Sequence, residues 1–75
     1  MSYSLIQEDG VTRIAANLAF SNGDSMYAEI PVQPNDAEAD YEQILIDRTL
    51  LPFKEYDSEG NEMPLGFTVT SVTQP

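Results

Sequence analysis

The sequence contains no cysteine and no histidine, and these absences exclude several kinds of protein. Without cysteine no disulfide can form, and without either residue the ligands that zinc prefers are missing. The commonest general base and the strongest nucleophile of enzymes are missing too. A pair of catalytic carboxylates needs a substrate cleft, which so small a domain seldom builds. We therefore expect a protein that is not an enzyme and that holds no metal and no cofactor.

Cations are scarce as well. The chain has three, Arg13, Arg48 and Lys54, against 13 Asp and Glu, which gives a net charge of −10. Binding to nucleic acid or to an anionic membrane requires several clustered cations, so neither is an expected partner. We expect a protein partner with a basic or apolar surface. Repulsion among the carboxylates also predicts that added salt stabilises the fold.

The length limits how the fold can be stabilised. With 75 residues, we expect one domain spanning residues 1–75. Such a domain buries only about 60 % of its unfolded surface, and disulfides are not available to compensate. The core must stand on packing alone or be shared with a second copy, so a homodimer is compatible with the composition. No signal peptide or membrane anchor is visible, which favours a cytoplasmic protein.

The first third of the chain predicts a β-hairpin. Residues 3–8 and 11–20 flank Asp9-Gly10, a dipeptide that tolerates the positive φ angles of a tight type I′ turn. A two-residue loop at this point places Leu5 opposite Ile14. Because side chains alternate along a strand, one face of the second strand then points to the core. The residues on that face are Ile14, Ala16, Leu18 and Phe20.

The next turn sets the register of a third strand. A two-residue turn at Asn22-Gly23 would place Glu29 opposite Ala16, on the core face. A three-residue loop, residues 21–23, places Ala28 there instead. A slip of one residue inverts every side chain, and burial of an unpaired glutamate is costly. We therefore predict the three-residue loop.

A helix is expected from Asp36 to Leu50, since Asn35 can cap its start and Pro52 follows its end. Its apolar residues fall on two sides. Either the second side is covered by the segment that follows the helix, or it meets another chain. The core stripe is predicted as Ala37, Tyr41, Ile44, Leu45 and Leu51, and the second side as Ala39, Ile46 and Leu50.

The rest of the chain predicts a small hairpin around residues 57–61 and a last strand from Leu65 to Val72. The fold class is therefore α+β: an antiparallel sheet, made of a three-stranded N-terminal meander and a C-terminal strand, with one helix packed on a face. Asp57, Glu59, Asn61 and Glu62 surround Gly60, but their spacing departs from an EF-hand loop, so we expect an ordinary turn.

Charge is concentrated between residues 35 and 62, where nine acids face two cations, a local charge of −7. We expect a non-catalytic, small acidic interaction module that binds a protein through this segment or through the outer sheet face. The alternative is a DNA mimic that occupies a basic groove, as small phage-like or mobile-element inhibitors do; a merely solubilising surface is the third interpretation. The predicted partner-binding residues are Asp36, Glu38, Asp40, Glu42, Asp47, Ile46, Leu50, Glu55, Asp57 and Glu59. The predicted outer sheet surface is Ile6, Ala15, Ala19 and Tyr27.

Overall fold

The structure, a computed structural model, describes residues 2–75. It confirms the α+β class, with an antiparallel sheet of several strands and one α-helix. Short 3₁₀ turns flank the helix at Glu38–Asp40 and Leu51–Phe53. The elements are β1 (Ser4–Glu8), β2 (Val11–Phe20), β3 (Ser25–Pro31), α1 (Tyr41–Leu50), β4 (Glu55–Tyr56), β5 (Glu62–Met63) and β6 (Val69–Thr73).

Strand β2 is the centre of the main sheet. It has ten residues, whereas β1 and β6 have five each. β3 pairs along one edge of β2, and the other edge is divided between β1, which pairs with its first half, and β6, which pairs with its second half. Gln74 Nε2 donates a hydrogen bond to the Tyr3 carbonyl at 3.2 Å, where the two short strands meet. The long strand β2 thus pairs with both the first and the last strand of the described chain.

Both predicted turns are confirmed by their backbone angles. Asp9 and Gly10 have φ values of 54° and 75°, and Leu5 lies opposite Ile14. Asp9 is the only non-glycine residue with positive φ in residues 2–75, and Asp tolerates this region better than most residues. The type I′ geometry suits the right-handed twist of the two strands.

The register of β3 is also as predicted. Gly23 has a φ of 91°, in the left-handed position of the three-residue loop. Ala16 lies opposite Ala28, and Glu29 lies opposite Ala15 on the outer face. The three-residue loop, which was predicted because it avoids burial of Glu29, is therefore confirmed.

The last strand differs from its prediction. It begins at Val69 rather than Leu65, and a β-bulge leaves Thr70 between the pairs Phe20↔Val69 and Ala19↔Ser71. The Thr70 hydroxyl donates to the Ala19 carbonyl at 3.2 Å. Because the bulge shifts the alternation by one residue, Val69 and Val72 both pack against the core.

The helix is shorter than predicted and is rotated relative to the predicted stripe. It begins at Tyr41, and Asn35 provides no cap. Leu51 is 59 % exposed, whereas Leu50 is buried and Ile46 packs against the core. The predicted stripe was wrong for Leu51 because it extended the periodicity of a helix from Asp36 to Leu50 by one residue, whereas Leu51 begins a 3₁₀ turn. The side that carries Ile46 and Leu50 is covered within the chain.

The core lies between the helix and the inner face of the sheet. Ile14, Leu18 and Leu45 are completely buried. Burial of each such side chain stabilises the fold by about 1.5–3 kcal/mol. Tyr3 and Tyr41 meet edge to face at one end, with ring centroids 6.1 Å apart. The helix packs on the inner face of the sheet against β3 and β2.

Candidate interaction surface

Each of the three cationic side chains is paired with a carboxylate. Arg48 Nη2 lies 2.6 Å from Asp36 Oδ1, and Lys54 Nζ lies 3.0 Å from Glu62 Oε1. Arg13 Nε lies 3.9 Å from Glu29 Oε1. Within residues 2–75 no Lys or Arg remains without an acidic neighbour. The other ten carboxylates have no cation partner there, so the charge presented to a partner is negative throughout.

Asp36 serves the fold rather than the surface. Its side chain is only 7 % exposed, and both of its oxygens accept hydrogen bonds from Arg48. The amide of Gln33 also donates to it, at 2.7 Å. The hydrogen bonds from Arg48 chiefly, with that from Gln33, hold the pKa of Asp36 below its usual value. A partner could reach this carboxylate only by displacing Arg48.

The remaining predicted contact residues differ in accessibility. Leu50 is buried and Ile46 is half-buried, so neither offers much surface to a partner. The amides of Glu59 and Asn61 each donate to Asp57 at 2.9 Å; the Asn61 amide is the first cause of the lowered pKa of this carboxyl. Among the predicted contact residues, the exposed acids without a cation partner are Glu38, Asp40, Glu42, Asp47, Glu55, Asp57 and Glu59.

A concentration of exposed apolar side chains lies next to these acids, and the sequence analysis did not predict it. Residues 51–63, here called the arm, contain the second 3₁₀ turn and the hairpin β4–β5. The two short strands pair with each other and form a sheet separate from the main one. Seven large hydrophobic residues are exposed within residues 2–75, and four of them fall in this short segment. They are Leu51 (59 % exposed), Phe53 (49 %), Tyr56 (58 %) and Met63 (45 %).

The tip of the arm is an ordered turn. Asp57 closes it by accepting two backbone amides, while its own amide donates to the Asn61 carbonyl at 2.9 Å. Gly60 supplies the positive φ, 83°, that the turn requires. Lys54 and Glu62 join the two strands through their ion pair. These contacts fix the arm's backbone, so its apolar side chains are displayed in a defined arrangement.

A cleft separates the base of the arm from the β2–β3 turn. It consists of two adjoining cavities of about 280 and 310 Å³, and Phe53 and Phe67 line both. Phe67 packs edge to face on Phe20, with ring centroids 4.9 Å apart. Asp24 lines the second cavity and Glu55 the first. The two cavities therefore share two aromatic rings, and the lining of each includes one carboxylate.

The outer face of the main sheet is more polar than expected. The Tyr27 hydroxyl donates to Glu29 at 3.1 Å, and Arg13 reaches the same carboxylate. Ala15 is completely buried, while Ile6 and Ala19 are half-buried. Polar side chains thus occupy part of the outer sheet face. The small and apolar residues of that face had predicted a second interaction surface there.

Residues 2–75 contain neither a metal-binding cluster of acids nor a membrane-spanning helix. The acidic residues there include no group of three or more placed to hold a metal ion. None of the helices there has the length and apolar character needed to cross a membrane. In the Asp57 turn, the carboxylate accepts the backbone amides of Glu59 and Asn61.

Comparison with protein-family models, with curated proteins and with solved structures gives no match. Function must therefore be argued from the arrangement of this chain's own side chains. That arrangement contains acidic residues without cation partners, an exposed apolar arm and an aromatic cleft beside it. All three are suited to binding.

Proposed function

We propose that this chain is a non-catalytic, cytoplasmic protein-interaction module that binds a basic, partly apolar protein surface through the arm and the exposed acids next to it. One observation carries the proposal: the arm displays apolar side chains among carboxylates that have no cation partner. The four apolar residues lie within residues 51–63, with Tyr56 and Met63 on opposite faces of the hairpin, and such concentrated apolar exposure favours an interaction site. The absence of cysteine is compatible with a cytoplasmic location.

The two kinds of side chain have different tasks in this proposal. Phe53 and Tyr56 are large aromatic anchors, a type enriched where binding energy is concentrated. The carboxylates, such as Glu55 and Glu59, accelerate encounter with a basic partner and disfavour acidic ones. Two copies of this chain would bring together two charges of −10, so repulsion opposes self-association through the arm.

A DNA-mimic inhibitor is the second candidate function. The seven exposed acids between Glu38 and Glu59 without a cation partner favour it, because a row of carboxylates can stand in for phosphates in a basic groove. Binding of this kind depends on charge and would be nearly indifferent to Tyr56 and Met63. The exposed apolar residues of the arm are the reason to prefer the interaction module.

Affinity capture from a lysate of the native source tests the proposal with two matched pairs of variants. Tyr56→Ser with Met63→Ser removes arm apolar surface, and Tyr27→Ser removes an exposed aromatic elsewhere. Glu55→Gln with Glu59→Gln removes two arm charges, and Glu8→Gln with Asp9→Asn removes two distant ones. We expect both arm variants to lose a protein that wild type and both control variants retain. Equal retention by all five proteins would refute the proposal.

Salt and nucleic acid distinguish the two candidates. A DNA mimic should release its partner steeply as salt rises and be competed off by duplex DNA. A module that also uses apolar surface should keep most of its affinity in salt. Replacement of Asp40 and Asp47 by Asn tests the helix charges separately. Asp36 is left unchanged because its pairing with Arg48 would mix a loss of stability with a loss of binding.

A further inference from the structure

The cleft has walls that are held in place before any partner arrives. Ser21 donates its amide to the Thr68 carbonyl, and the Thr68 amide donates to Ser21 Oγ, both at 2.9 Å. This pair of bonds fixes the neighbouring Phe67 against the β2–β3 turn. Phe20, which Phe67 contacts, and Met26 also line the cleft and pack against the main core. Binding to such a site loses little conformational freedom of the protein.

The size of the cleft suits a side chain better than a cofactor. Its cavities, about 280 and 310 Å³, are at or below the lower end of the range for small-molecule pockets. The aromatic rings of Phe20, Phe53 and Phe67 offer apolar surface and ring edges to a flat or branched group. A single leucine or phenylalanine side chain fits this space and this lining.

The carboxylates in the cleft lining favour particular residues on either side of that side chain in the partner. Asp24 and Glu55 have no Lys or Arg partner within residues 2–75, and every cation there is already paired. A segment that lies across both cavities therefore meets one carboxylate in the lining of each and no Lys or Arg in either lining. Lysine or arginine on both sides of the apolar residue complements this pattern.

We infer that the cleft between the arm and the β2–β3 turn is the anchor pocket for a partner segment in which one leucine or phenylalanine side chain is flanked by lysine or arginine. The inference rests on the proposed function and adds to it the kind of sequence that is bound. Phe53 and Phe67 contact the anchor side chain, and Asp24 and Glu55 contact the flanking cations. Phe53 belongs to both the arm and the cleft, so one partner can occupy the two together.

Titration of the ¹⁵N-labelled protein with a synthetic peptide tests this inference. The probe is acetyl-Lys-Lys-Leu-Phe-Lys-Lys-amide, with one reference peptide in which serine replaces Leu and Phe and another in which glutamate replaces every Lys. We expect the largest amide shift changes at Asp24, Gly66 and Phe67 with the first peptide only. Equal binding of the serine peptide would show attraction by charge alone and would overturn the inference, as would the absence of any binding.

Two exposed aromatic residues provide a matched pair of variants. Phe53 and Tyr27 are both 49 % exposed, so replacing either by Ser should leave the fold intact. Phe53→Ser should weaken peptide binding about tenfold, and Tyr27→Ser should leave it unchanged. Shift changes confined to Tyr56 and Met63, with no effect of Phe53→Ser, would overturn the anchor pocket and leave the proposed function standing. Failure of the proposed function would appear instead as arm variants that lose no captured protein.

Discussion

Arg48 and Asp36 form a two-pronged ion pair, in which each terminal guanidinium nitrogen lies 2.6 Å from one carboxylate oxygen. The pair joins the segment that precedes the helix to the last turn of the helix. It also brings Gln33 into the same network, through a backbone amide that donates to Asp36. Planar, bidentate pairing of this kind is stronger and more directional than a single contact. Asp36 thereby stabilises the helix from outside it.

Asp36→Asn should lower the melting temperature more than the loss of either of the other ion pairs. The variant removes the negative charge that faces the half-buried Arg48 but keeps an oxygen for the Gln33 amide. Glu29→Gln is the control, since Arg13 and Glu29 are 3.9 Å apart and partly exposed. Thermal melts followed by circular dichroism measure both variants. A larger fall for Glu29→Gln would contradict the importance given to Asp36.

Acid should destabilise the protein through Asp36 and Asp57. The pKa of each is lower in the folded chain than its usual 3.8, because Arg48 and the Asn61 amide, respectively, favour the ionised form. Their stabilisation is therefore present above pH 4 or so and is lost as the pH falls through the lower folded pKa values. Urea unfolding at a series of pH values should show a shallower acid decline for Asp36→Asn with Asp57→Asn. An unchanged slope would exclude these two carboxyls as the cause.

Substitution of Leu45 by alanine should destabilise the protein far more than substitution of Leu51, although the two residues lie only six positions apart in the same apolar region. Leu45 is completely buried, so Leu45→Ala should cost about 2–5 kcal/mol, enough to unfold much of so small a domain. Leu51 is exposed on the arm, and Leu51→Ala should change stability by less than about 0.5 kcal/mol. Urea unfolding measures both. Similar losses of unfolding free energy for the two variants would contradict the burial of Leu45 and the exposure of Leu51, and hence the orientation of the helix about its axis.

The register of the meander could be predicted from the sequence because local and global preferences agree there. Asp9-Gly10 requires a tight turn, and only one register of β3 keeps Glu29 off the core face. The turn residues and the placement of Glu29 together therefore fix the register of all three strands. The α+β class followed from the same alternation of apolar and polar residues.

The hairpin of the arm was predicted from its local turn residues, whereas the start of the helix could not be, because a long-range contact decides it. Asp36 lies in a typical helix-capping sequence, yet its carboxylate pairs with Arg48, twelve residues later. The bulge at Thr70 likewise depends on the pairing of β6 with β2. Of the arm's exposed apolar residues, Leu51 was assigned to the core stripe, and it is 59 % exposed. The aromatic residues Phe53 and Tyr56 on either side of Lys54-Glu55 were the available signal for an exposed apolar segment.

Added salt should raise the melting temperature. Ten carboxylates have no cation partner within residues 2–75, so repulsion among them opposes the compact state, and screening reduces it. Melting in a series of NaCl concentrations measures the effect, with potassium chloride as a control for ion-specific binding. A melting temperature that stays constant or falls in moderate salt would show that the ion pairs outweigh the repulsion.

The affinity of the captured partner for the arm variant is the most direct test of the central claim, that the arm binds a protein. Isothermal titration should give a dissociation constant at least about tenfold weaker for Tyr56→Ser with Met63→Ser than for wild type, because both side chains are exposed anchors. Tyr27→Ser should bind as wild type does. Equal dissociation constants for all three proteins, measured on variants with unchanged melting temperatures, would contradict the assignment of the arm as the binding surface.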